Sequence, residues 1–134
     1  IYEEFYPNPK HEVRTVIFYS LQSIFNKGHG FFEDNYSEEM KDHIGLSMEV
    51  DELREKIENF WSNYNNVQFI GCEYKQLELD KENGTANAIC RVSFKTQLEK
   101  GKRFKPEEAV LEFNLVRGKM MNWWEIKQIV TDLF

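Results

Sequence analysis

Val13, Val16, Ile17, Leu21, Ile24 and Phe25 recur every three or four positions, the period of a helix laid against a core. Asn8-Pro9 marks the start, because Asn caps a helix and Pro suits its first position. Gly28 marks the end, since glycine readily takes the left-handed conformation that closes a helix. Residues 1–8 are aromatic and acidic without a period and read as an extended N-terminal segment. Phe32, Tyr36, Met40 and Ile44 form a second helical face, stopped by Gly45. Ser47 can cap a third helix, whose apolar stripe is Val50, Leu53, Ile57, Phe60, Trp61 and Tyr64.

From Val67 onward the period changes to two, the mark of strands. Asn83-Gly84 signals a type I′ hairpin, whose central residues both need positive φ. A two-residue turn there sets Glu82 opposite Thr85, Leu77 opposite Cys90 and Leu79 opposite Ala88. The second strand has one apolar face, Ala88, Cys90, Val92, Phe94 and Thr96. In the first strand Ile70, Cys72 and Tyr74 have the opposite parity from Leu77 and Leu79, so a β-bulge is expected near Lys75-Gln76. In this register Cys72 faces Phe94. It stands four residues from Cys90, on the order of 13 Å at the usual strand rise, and both thiols are expected to be reduced and unbridged. The third strand places Leu111, Phe113 and Leu115 on one face. The fourth, Trp124-Glu125-Ile126, pairs best with Glu112 opposite Lys127, Leu115 on Trp124 and Phe113 on Ile126, because the other matched register opposes Glu112 to Glu125.

Together these elements predict an α+β domain spanning 1–134, with three N-terminal helices packed on a strongly bent, four-stranded antiparallel sheet. A hydrophobic fraction of 41% is enough for a packed core at this length without a metal or disulfide staple. The net charge of −6 argues against nucleic-acid binding. The basic cluster Lys100, Lys102, Arg103 and Lys105, broken by Gly101 and followed by Pro106, reads as a solvated turn. No apolar run approaches membrane-spanning length. The sequence begins at Ile1 rather than Met, which raises the expectation that an upstream segment was removed and leaves the compartment open between cytoplasmic and exported.

The order of a long first helix (Pro9–Lys27), two shorter helices, a bent sheet and a terminal Trp124-Glu125-Ile126 strand resembles the nuclear-transport-factor-2-like superfamily. That group is the cone-shaped fold of ketosteroid isomerases, scytalone dehydratase and polyketide-cyclase-like proteins, and the resemblance covers roughly residues 9–130. A cystatin-like domain with extra helices is the alternative. The resemblance implies a pocket between the concave sheet face and the helices, in a group that includes enzymes, ligand binders and interaction modules, so fold alone does not decide function.

Tyr19, Phe60, Phe94, Phe113 and Trp124 are the candidate pocket residues, the large side chains whose stripes turn toward one another. The same rings would otherwise simply fill the cone. A carboxylate base with a tyrosine donor is the isomerase chemistry the resemblance implies. Asp34, Tyr19 and Glu112 could be cast in those roles, but none aligns with that motif. Asp34 reads as a helix N-terminal charge and Glu112 as the solvent-face partner of Lys127. His11, His29 and His43 lack ligand-like spacing, so neither a metal nor another cofactor is expected. The leading expectation is a non-catalytic module that binds a small apolar ligand or a protein partner. The alternatives are a small-molecule isomerase, dehydratase or cyclase, and a structural homodimer formed through the sheet.

Overall fold

Pro9–Phe25 forms the first helix, α1, in a computed structural model that describes residues 9–28, 30, 35–37, 50–118 and 124–133. Its buried stripe is Val13, Val16, Ile17, Ser20, Leu21 and Ile24, the spacing of one helical face. Gly28 ends the turn that follows, with φ +98°. Just before it, the Lys27 N–H donates to Val67 O at 2.9 Å and ties the helix exit to the first strand. The second described helix, α2 (Val50–Ser62), buries Val50, Leu53 and Ile57. Asp51 and Glu52 lie in its first turn, where the helix dipole favours negative charge.

The helix expected around Phe32–Ile44 falls mostly outside the described residues. Its described portion is not helical at Tyr36, which forms a parallel bridge with Ile126. The Ser37 N–H donates to Ile126 O at 2.9 Å, so this segment lies against the sheet edge. Two helices are therefore present among the described residues, where three were expected.

β1 (Asn66–Asp80), β2 (Thr85–Gln97), β3 (Lys105–Arg117) and β4 (Trp124–Thr131) form an antiparallel meander in the order β1-β2-β3-β4. Bulges interrupt the β1–β2 pairing at two places. The one between Tyr74 and Gln76 is the bulge the parity break predicted, and a second lies between Phe69 and Gly71. The helix-facing positions of β1 are Val67, Phe69, Cys72, Tyr74, Leu77 and Leu79, opposite Thr96, Phe94, Val92, Cys90, Ala88 and Ala86. Ile70, expected on the same face as Cys72, is the extra residue of the second bulge and is 59% exposed.

The β1–β2 turn is longer than its Asn-Gly signal suggested. Asp80 pairs with Thr85, leaving Lys81–Gly84 as a four-residue connection with Gly84 at φ +64°. The Asp80 carboxylate accepts from the Asn83 N–H at 3.2 Å and from Asn83 Nδ2 at 2.6 Å, which closes the longer loop. These bonds hold the Asp80 carboxyl below its usual pKa. The expected pairs shift by two residues, to Leu77–Ala88 and Leu79–Ala86, and a shift of two keeps every side chain on its face.

The β3–β4 register also differs from expectation. Leu115 pairs with Ile126, Phe113 with Ile129 and Glu112 with Val130. Lys127 is the unpaired residue of a bulge, not the partner of Glu112. Burying both Ile126 and Ile129, three residues apart, requires that extra residue, because a regular strand turns them to opposite faces.

The core lies between α1, α2 and the inner sheet face. Phe25 of α1, Phe60 of α2 and Phe94 of β2 meet with centroids at 4.7 to 6.4 Å and bind the layers together. The outer face carries a ladder with one amide from each strand. Gln76 Nε2 donates to Asn87 Oδ1 (2.8 Å), Asn87 Nδ2 to Asn114 Oδ1 (2.8 Å), and Asn114 Nδ2 to Gln128 Oε1 (3.0 Å).

Candidate functional site

Ser20 interrupts the apolar stripe of α1 and is fully buried, so its hydroxyl needs a partner. That partner is the hydroxyl of Tyr36, 3.0 Å away and also fully buried. Tyr36 is held there by its bridge to Ile126 of β4. Burial pushes the Tyr36 phenol up to about 12, against a smaller opposing effect of the Ser20 hydrogen bond. It is therefore a neutral hydroxyl near neutral pH, suited to orienting a polar group and not to accepting a proton as a phenolate base.

Trp124, two residues before Ile126 on the same buried face, has zero exposure. The Arg117 guanidinium lies over its ring at 5.5 Å. Its indole Nε1–H is buried and has no hydrogen-bond partner among the described residues. An unmet buried donor costs about 1–3 kcal/mol, and in native proteins such a group calls for an explanation. Ser20, Tyr36 and Trp124 are thus all fully buried, the two hydroxyls paired with each other and the indole donor unmet.

The five sequence-derived candidates separate. Phe94, Phe113 and Trp124 belong to the buried core and Phe60 packs at its margin. Tyr19 does not join them: it is 45% exposed, edge-on to Phe18 at a centroid distance of 6.1 Å. The stripe through Ile17, Ser20, Leu21 and Ile24 turns position 19 outward. The fully buried tyrosine is Tyr36, which the sequence pattern had assigned only to a helical face. The serine within the stripe was the available signal, because a buried hydroxyl implies a polar partner.

Glu112 is on the outer face, where its Oε2 accepts from Asn87 Nδ2 at 2.6 Å. His11 is exposed at the start of α1, while Asp34, His29 and His43 lie outside the described residues. Among the described residues no cluster of three or more His, Cys, Asp or Glu is arranged to hold a metal ion.

Cys72 and Cys90 are both free. Cys72 lies opposite Val92 and Cys90 opposite Tyr74, so the thiols are diagonal neighbours. That corrects the expected separation from about 13 Å to roughly the 7–8 Å of a diagonal pair. The longer turn alone accounts for the change, since it slides every β2 partner by two residues and so moves Cys72 from Phe94 to Val92. Burial, with a further contribution from Cys72, pushes the Cys90 thiol up to about 12. Cys72 is also raised, chiefly by burial. Both therefore remain thiols at neutral pH, which is poor chemistry for a nucleophile.

No protein-family model matches the chain, and no curated protein matches it. Among the described residues no helix is long and apolar enough to cross a membrane.

Proposed function

We propose that this chain is a non-catalytic binding module of the nuclear-transport-factor-2-like, cone-shaped kind, whose ligand sits between α1 and the sheet. The ligand has an apolar body and one hydrogen-bond acceptor. The observation that carries this reading is the buried, unmet Nε1–H of Trp124. A ligand acceptor would satisfy it, and the Ser20–Tyr36 hydroxyl pair offers a second polar contact in otherwise apolar surroundings. The raised Tyr36 phenol and the raised thiols favour binding over acid–base or nucleophilic chemistry.

Native mass spectrometry of the purified protein tests the proposal. The expected result is a population heavier than the bare chain, whose excess mass disappears on denaturation and is reduced in Trp124→Phe. Only the bare-chain mass, in protein never exposed to organic solvent, would count against it.

A second reading is a protein partner docked on the exposed rings of Phe18 and Tyr19, which are 43% and 45% exposed and stand edge-on at 6.1 Å. A homodimer through the outer sheet face would draw on exposed Val110 and Val130, but the amide ladder and Glu112 make that face polar at its centre.

A further inference from the structure

Three of the four residues in the basic cluster that reads as a solvated turn line a cleft of about 540 Å³ at the β2–β3 end of the sheet. That volume is within the range of small-molecule sites, about 300–1,000 Å³. Lys102, Arg103 and Lys105 line it together with two carboxylates, Glu99 and Glu107. Lys105 pairs with Glu107 at 3.4 Å. The side chains of Lys102 and Arg103 have no ion-pair or hydrogen-bond partner among the described residues. Two uncommitted cations thus share one cleft in a chain whose net charge is −6.

The turn that presents them is held by its own hydrogen bonds. Gln97 Nε2 donates to Lys102 O at 2.9 Å, while Gln97 Oε1 accepts from Asn65 Nδ2 at 2.7 Å. The Lys102 N–H donates to Glu99 O at 3.1 Å, and Gly101 supplies the positive φ of +83° that this path needs. Lys95 lies over the Phe104 ring at 4.9 Å and fastens the far side. A backbone ordered before binding lowers the entropy a ligand must overcome. The cleft also has an apolar part, the 68%-exposed Leu98 and the ring of Tyr64, itself edge-on to Phe60 at 5.4 Å.

We propose that this cleft binds a small amphipathic anion, a carboxylate or phosphate monoester carried on a short apolar body. The anion lies between Lys102 and Arg103, and the apolar body lies on Leu98 and Tyr64. A guanidinium accommodates either head group in a bidentate fashion. This site is separate from the one around Trp124 and stands or falls independently of it.

The test is an amide-resolved NMR titration of the full chain with hexanoate, hexyl phosphate, inorganic phosphate and hexylammonium. Saturable shifts centred on Leu98, Lys102 and Arg103 are expected with hexanoate or hexyl phosphate, and the tighter of the two identifies the head group. Hexylammonium should produce none. The double variant Lys102→Glu/Arg103→Glu, at two exposed positions, should weaken binding at least about tenfold, as expected when charge-assisted contacts are lost, with the rest of the spectrum unchanged. Leu98→Ala should weaken the hexyl compounds and leave inorganic phosphate unaffected. Linear, non-saturating shifts, an equal response to hexylammonium, or full binding by the double variant would overturn the site. Inorganic phosphate binding as tightly as hexyl phosphate would overturn its amphipathic character.

Discussion

Trp124→Ala should lower the unfolding free energy by about 3–5 kcal/mol, the usual range for truncating a large buried aromatic. The indole is fully buried at the start of β4, and its loss opens a void in the core and removes the surface under Arg117. Urea denaturation followed by tryptophan fluorescence and circular dichroism measures it. Trp124→Phe separates packing from the indole N–H. It keeps a ring and removes the unmet donor, and removing that donor returns part of a penalty of about 1–3 kcal/mol. In ligand-free protein the two effects oppose, so the net loss should be much smaller than for alanine. In ligand-bearing protein Trp124→Phe should cost more, because ligand linkage to the folded state is weakened as well. An equal cost in both preparations would show that the indole N–H makes no contact with a ligand.

Lys27→Met should destabilise the fold by about 1.5–3 kcal/mol, the range for hydrogen bonds to a charged group. Lys27 follows the end of α1, and its ammonium donates to Tyr64 O at 2.7 Å, with Trp61 O and Asn65 O at 3.4 Å. Those carbonyls belong to the last turn of α2 and the residues just after it, where a cation also opposes the negative end of the helix dipole. The exchange is reciprocal, because Trp61 Nε1 donates to Ile24 O in the last turn of α1 at 2.9 Å. The two helix ends therefore satisfy each other's orphan carbonyls. Trp61→Phe should cost less, about 0.5–1.5 kcal/mol for one neutral hydrogen bond. A double-mutant cycle should give a coupling of at least about 0.5 kcal/mol between them, since both changes loosen one helix–helix joint. Strict additivity would mean that the two contacts act separately.

The parts of this fold legible in the sequence are those set by local periodicity. The stripe of α1 lies where the helical period puts it, although the helix ends at Phe25, two residues before the expected Lys27, and Gly28 closes the turn that follows. β2 alternates without interruption from Ala86 to Thr96, and the structure buries that whole face. The bulge near Lys75 was legible because Tyr74 and Leu77 cannot share a face in a regular strand.

What was not legible depends on tertiary partners. Ile70 has the chemistry of a core residue and is ejected by a bulge, which residue type alone does not announce. The Asn83-Gly84 signal is strong, yet Asp80 closes a loop two residues longer through its own side chain. The spacing of Ile126 and Ile129 contained the β4 bulge, but only the burial of both reveals it. Tyr19 and Tyr36 exchanged roles for a related reason. Tyr19, read from the sequence as facing inward, lies on the outer side of its helix, and the fully buried Tyr36 enters through an irregular segment beside β4.

The indole N–H resonance of Trp124 reports directly whether a ligand satisfies this buried donor. The indole region of an ¹H–¹⁵N spectrum should be recorded on protein as purified, then after unfolding, solvent extraction and refolding, with Trp124→Phe supplying the assignment. Ligand binding there requires that the Trp124 indole signal move on extraction, while that of Trp61, bonded to Ile24 O within the protein, stays in place. A Trp124 signal unchanged by extraction, with no small molecule recovered in the solvent, would contradict it.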